Sequence, residues 1–173
     1  MNMTEPSLPQ GHLRGASAAR VVILEYGDFE CPACAQAETV IRMLLERYPD
    51  DACARFRHFP LSEVHPHAEL AAEAAEAAAA QGRFWDMADL LFKNQLELTR
   101  EALSAYARML GLDLGRFDDE LDRHIYRQLV KDDMQAGKAR GVRATPGLFL
   151  NERLIDASFG LQRLSDAVRD ALG

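Results

Sequence analysis

Hydrophobic positions change period several times along the chain, and each change marks an element. Val21-Val22-Ile23-Leu24 is a largely β-branched apolar run closed by Gly27 and Asp28, which predicts a strand buried on both faces of a sheet. From Pro32 the period becomes helical, with Ala37, Val40, Ile41, Leu44 and Tyr48 on one stripe and Glu38, Arg42 and Glu46 on the polar face opposite. Pro49-Asp50-Asp51 ends that helix. Cys53 to Phe59 then alternates as a second strand, stopped by Pro60. The first third therefore reads β-α-β.

The middle reads as helical throughout. His65-Pro66-His67 opens an alanine-dominated segment through Ala80, with Pro66 suited to a first helical turn and Glu69, Glu73 and Glu76 forming a solvated face. Gly82 breaks it. Amphipathic segments follow over Phe84 to Gln95, Arg100 to Leu110 and Phe117 to Lys138. Strand character returns as a hairpin: Leu148-Phe149-Leu150, the turn-prone pair Asn151-Glu152, then Arg153-Leu154-Ile155. A closing helix buries Leu161, Leu164, Ala167, Val168 and Leu172. The order β-α-β, helices, β-β-α predicts a split α/β sheet with a helical insertion. Residues 1–15, carrying Pro6, Pro9, Gly11 and Gly15, read as a flexible lead-in or a strap over the domain surface.

Length and composition narrow the class. At 173 residues the chain fits one domain, or a compact core with one insertion. Asp plus Glu exceed Lys plus Arg by 27 to 20 and no basic cluster stands out, which argues against a nucleic-acid partner. No apolar stretch approaches the roughly 20 residues of a transmembrane helix, and Met1 to Gly15 lack the pattern of a secretory signal. The expectation is a cytoplasmic protein, or an exported one if a signal has been removed.

Three cysteines are too few for a disulfide scaffold or a four-cysteine zinc site. Two stand as Cys31-Pro32-Ala33-Cys34 at the strand-to-helix junction. Pro32 disfavours helical geometry at Cys31 and suits the first helical position, which puts Cys31 at the N-cap, where unpaired N–H groups and the helix dipole favour a thiolate. Cys34 lies one turn deeper on the same face. The pair reads as an attacking and a resolving thiol. Zinc is the main rival for a lone CxxC, with His58, His65 and His67 as conceivable co-ligands, although no second CxxC or HxxxH is present. Glu25, ending the apolar strand, is costly to bury; a raised pKa there would let it exchange protons with Cys34, and the alternative is a side chain turned to solvent.

The stretch Val22-Ile23-Leu24-Glu25-Tyr26-Gly27-Asp28-Phe29-Glu30-Cys31-Pro32-Ala33-Cys34 resembles the active-site strand and helix start of the DsbA-like branch of the thioredoxin fold. Similarity continues through Phe56 to Leu61, Gly82 to Met87 and Gly141 to Pro146, covering about Leu13 to Leu172. The chain is especially similar to cytosolic DsbA-like domains, including those fused behind some sodium/proton antiporters, in which Val64-His65-Pro66-His67-Ala68 also has a counterpart. The resemblance implies an α/β thioredoxin fold, a central mixed β-sheet formed by 16–60 and 141–173, with an α-helical domain inserted over 61–140. It implies thiol–disulfide exchange with protein or peptide thiols and disulfides, with no cofactor beyond a Cys31–Cys34 disulfide. Glutathione, a thioredoxin system or a membrane oxidase would be the redox partner. Thr145-Pro146 matches the family's cis-proline loop, which with Pro32 and Ala33 would face an extended substrate peptide. The family carries an acidic residue at the place of Glu25.

Two departures qualify the resemblance. Strongly oxidising members often carry Pro-His between the cysteines; Ala33 brings neither hydrogen bond nor charge, which predicts a less oxidising couple. Gly147 stands where Thr is more usual, which predicts a more open groove. Two further function classes stay open: an enzyme acting on a small molecule or glutathione, which would not need Cys34, and a non-catalytic peptide-binding or regulatory module. Cys53 reads as a small buried hydrophobe, and His65 and His67 as caps or decorations of the alanine-rich helix. Trp85 with Phe84, Met87, Leu90, Leu91 and Phe92 reads as insertion core, or in part as an apolar surface beside the site.

Overall fold

The structure is a computed structural model that describes residues 11–173; the first ten residues of the expected lead-in lie outside the described part. Five strands form one mixed sheet in the order β1-β3-β2-β4-β5. β2 (Val21–Gly27) and β3 (Ala52–His58) run parallel, joined by α1 (Pro32–Arg47). β4 (Gly147–Leu150) pairs antiparallel with β2 on its other side, and β5 (Arg153–Ile155) completes the hairpin. Asn151 and Glu152 both have positive φ, 45° and 76°, the geometry of a two-residue turn whose twist matches the flanking strands. The Asn151 side chain also accepts from the Val22 N–H at 2.7 Å, tying the turn to the next strand.

Alternation along β2 explains its unbroken apolar run. Val21 and Ile23 face a core shared with Ile41 and Leu44 of α1 and with Leu164 and Val168 of α7 (Gln162–Leu172). Leu24 and Tyr26 face the opposite core with Phe59, Val142 and Phe149. Between β3 and β4 lie five helices: α2 (Ala68–Ala79), α3 (Phe84–Lys93), α4 (Arg100–Met109), α5 (Leu114–Asp122) and α6 (Arg127–Ala139). α6 closes against β3, and Gly137 allows the approach: a Cβ there would stand 2.8 Å from Phe59 and 2.9 Å from Tyr26.

The lead-in reading fails at its end, because His12–Gly15 forms β1, antiparallel to β3 at the sheet edge. Four residues with two charged or titratable side chains carry too little periodicity to read as a strand. What holds them is remote: the Trp85 indole N–H donates to the Leu13 carbonyl at 2.7 Å, and Arg14 pairs with Asp89 at 2.7 Å and Glu38 at 3.3 Å.

The span expected as one helix over Phe117 to Lys138 is α5 and α6, separated where His124 takes a left-handed φ of 52°. The alanine-rich helix starts at Ala68, past Pro66, and His67 at its cap makes no side-chain capping bond. Its glutamates form no solvated face either. α2 is packed by α3, α4, α5 and α6, so Glu73 and Glu76 are buried and paired, Glu73 with His124 at 3.0 Å and Glu76 with two imidazoles. Phe84, Met87 and Leu91 join the insertion core, while Trp85, Leu90 and Phe92 pack at its margin.

Candidate active site

The strand-to-helix junction after β2 is a tight turn organised by Asp28. Its buried carboxylate accepts from the Glu30 N–H at 2.8 Å, the Leu61 N–H at 2.9 Å and His65 Nδ1 at 2.8 Å, and its carbonyl accepts from the Cys31 N–H at 3.1 Å. His65 is therefore a partner of the active-site turn and not a helix decoration. Cys31 has extended dihedrals (φ −82°, ψ 119°) and stands at the N-cap of α1, with Pro32 as the first helical residue. Its carbonyl accepts the first helical bonds, from Cys34 at 3.1 Å and Ala35 at 3.3 Å. The same carbonyl also accepts from the Gln95 side-chain amide at 2.8 Å, and that amide bonds the Phe29 carbonyl at 2.9 Å.

Both cysteines are thiols, Cys31 exposed by 7% and Cys34 fully buried. Their acidities diverge. The Cys34 S–H stabilises a Cys31 thiolate most; against the opposing cost of burial, Thr145 and the backbone N–H groups of Cys34 and Ala33 add to it, and Cys31 is lowered to about 5. Burial first, then the hydrogen bond to Cys31 and the negative charge at Glu25, push Cys34 far above the ordinary thiol range. The Cys31 thiol lies 3.7 Å from the Thr145 carbonyl, and the Thr145 hydroxyl is buried without a well-formed hydrogen bond. The Thr145–Pro146 peptide bond is cis.

Behind Cys34 sits Glu25, 1% exposed, neither carboxylate oxygen in a well-formed hydrogen bond. Desolvation, then repulsion from Glu38, holds its pKa well above the usual carboxylate range. Glu38, read from the sequence as part of a polar face, is buried too. Desolvation raises its pKa as well, partly offset by Arg14. The two glutamates make a buried acid pair beside Cys34 in which desolvation favours the protonated form of each.

Ala33, Thr145 and Pro146 line a cleft of about 350 Å³ that also includes Val142, Arg143 and Leu154. A second, more apolar groove of about 630 Å³ shares Val142 and Arg143 and runs past Phe59, Leu61, Val64 and Met134. Gly147 does not open the cleft as expected: the Val142 side chain fills the space, within 2.7 Å of where a Cβ would stand. The zinc alternative does not assemble either. Among the described residues, the metal-ligating side chains that converge are His12, His58 and Glu76, without either active-site cysteine.

A sequence profile described as thioredoxin matches residues 7–170, and the chain belongs to that family. The oxidised BdbD of Bacillus subtilis superposes with a TM-score of 0.82 at 21% identity, covering 92% of this chain and 91% of that one. DsbA2 of Pseudomonas aeruginosa superposes at 0.70 with 24% identity, covering 96% and 99%. The architecture is thus the thioredoxin fold with a helical insertion found in DsbA-type oxidoreductases. In sequence, the chain is 44% identical over 160 residues to the "Na(+)/H(+) antiporter NhaA 1" of Salinispora arenicola, a match that spans 92% of this chain and 24% of that protein.

Proposed function

We propose that this chain is a thiol–disulfide oxidoreductase that exchanges disulfides with protein or peptide substrates through Cys31 and Cys34. The divergence of the two sulfurs on the first turn of α1 carries the reading: Cys31 is a thiolate at neutral pH, and Cys34 is held as a buried thiol until needed. The Cys31 thiolate attacks a substrate disulfide and the first substrate sulfur leaves as a thiolate. Cys34 then gives its proton to the Glu25–Glu38 pair and attacks Cys31; the Cys31–Cys34 bond forms, and the second substrate sulfur leaves. The substrate gains two electrons and, from solvent and the acid pair, two protons. The reverse sequence oxidises a dithiol. The Thr145–Pro146 segment would offer its peptide groups to an extended substrate at the edge of the cleft, which Ala33 lines and Pro32 does not.

A stabler Cys31 thiolate makes the disulfide more oxidising. With Cys31 lowered to about 5, the couple is expected to be more oxidising than one built on an unperturbed thiol. Such a couple rests as a dithiol in a reducing cytoplasm and as a disulfide in an oxidising compartment, so direction follows location. Insulin reduction by dithiothreitol tests the activity. Wild type accelerates precipitation and Cys31→Ser does not; a wild type no faster than Cys31→Ser sinks the proposal.

The match to a segment of an antiporter supports a second reading, in which the same thiol pair acts on a membrane transporter. Cys34→Ser cannot resolve a mixed disulfide, so partners trapped on Cys31 in cells identify the substrate. A transporter among them supports this reading, and only soluble partners overturn it.

A further inference from the structure

A second cluster of ligand side chains stands apart from the thiols, where the sheet meets the insertion. His12 comes from β1, His58 from the end of β3 and Glu76 from α2. Both imidazoles present Nε2 to the same carboxylate oxygen, each at 2.6 Å. The three ligand atoms lie within 4.8 Å of one another. The surroundings hold them in place: His12 stacks on Phe84 with centroids 3.5 Å apart, and His58 is wedged among the Phe29, Phe56 and Phe84 rings at 5.5 to 6.0 Å. The His58 and Glu76 side chains are 1% and 6% exposed, whereas His12 is 27% exposed and leaves one side of the cluster open to solvent.

We propose that His12, His58 and Glu76 form a binding site for a divalent first-row transition cation, Zn²⁺ in particular. Two imidazole nitrogens and one carboxylate oxygen suit Zn²⁺, and a water reaching the cluster past His12 completes four ligands. Tetrahedral ligands at about 2.0–2.1 Å from the metal stand roughly 3.3 Å from one another, so each 2.6 Å contact must open by about 0.7 Å. Rotation of the Glu76 carboxylate and a small shift of the outer ring, His12, supply that opening while His58 stays fixed. To ligate, each Nε2 gives up the proton it now directs at the carboxylate, to its own ring's Nδ1 or, from an imidazolium, to solvent; His58 Nδ1 is buried without a partner and is free to carry it. The bound ion would join three chain segments that are distant in sequence, 64 residues between His12 and Glu76, and would staple β1 to the sheet and the insertion.

The test uses the full chain carrying Cys31→Ser and Cys34→Ser, so that neither active-site thiolate can ligate and the result does not depend on the redox reading. Titration with Zn²⁺ by calorimetry, and with Co²⁺ followed by its visible absorption, is expected to show one equivalent bound with the intense bands of a four-coordinate ion. His12→Gln, at the half-exposed edge, and Glu76→Gln are each expected to weaken uptake at least tenfold, with native circular dichroism confirming that they fold. Absence of uptake by the parent protein overturns the site, as does uptake that His12→Gln leaves unchanged.

Discussion

Two buried carboxylates of this protein, one on a strand and one on a helix, have opposite acid strengths. Glu25 and Glu76 are both nearly inaccessible, at 1% and 5% exposure. Glu25 faces another carboxylate and a thiol, with no well-formed hydrogen bond, and its pKa is held well above the usual range. Glu76 is desolvated as well, but two imidazoles bond one of its oxygens, and its pKa is lowered to about 2. Burial alone therefore does not decide how a carboxylate behaves; the donors it meets do. The difference separates a group able to take and return a proton from one that holds a fold together.

The widest gap should appear in stability. Glu76→Ala leaves two imidazoles without their acceptor and is expected to cost about 3–5 kcal/mol in guanidinium unfolding. A loss below 1 kcal/mol would erase the distinction. Acid should expose the same contrast in the metal-free wild type. The Glu76 pKa is depressed, so its stabilisation is complete above its ordinary value of 4.5 and is lost as pH falls towards about 2, on the order of 3 kcal/mol in all.

Glu25 has the opposite sign. Its raised pKa contributes stability that is present below the ordinary value and lost as pH rises, so Glu25→Gln should be more stable than wild type at pH 7 and indistinguishable from it near pH 4. The same substitution should slow resolution of the mixed disulfide about 10²-fold, measured by stopped-flow mixing with an oxidised peptide. A variant that resolves at the wild-type rate removes Glu25 from the proton path.

The smallest effect concerns His65. Burial lowers its pKa, but the bond to Asp28 and the nearby Asp28 and Cys31 charges outweigh that and raise it. The imidazolium so favoured is expected to add to the support of a Cys31 thiolate, which Ala33 cannot do. His65→Asn should slow alkylation of Cys31 below pH 7 by two- to fivefold, the worth of a partly exposed charge pair of about 0.2–1 kcal/mol. Equal rates across the pH range would remove His65 from the support of the thiolate.

Local pattern explains what the sequence made legible. The period change after Gly27, the placement of Pro32 after Cys31 and the Asn151–Glu152 turn depend on residues within a few positions of one another, and β2, α1 and the hairpin follow from them. Polar and charged residues whose partners are distant escaped the same reading. Glu38 is drawn inside by Arg14, 24 residues away, Glu76 by His12, 64 away, and Gln95 reaches the Cys31 carbonyl across another 64. A polar stripe at helical spacing signals solvent only while nothing packs on it, and α2 is packed by four other helices. The Thr145–Pro146 loop was legible only through family resemblance, since a proline before a strand has no local feature that brings it to a thiol 114 residues away.

Cys53 acquires a use from its place in the sheet. It is 2% exposed and sits in β3 directly opposite Gly15 of β1, with Val22 of β2 on the other side. Burial also raises its pKa, which makes it a poor nucleophile while the edge strand is in place. Once Cys31 and Cys34 are replaced by serine it is the sole thiol of the chain. Its labelling rate then becomes a clock for the opening of the sheet edge, one that any ligand fastening His12 would slow.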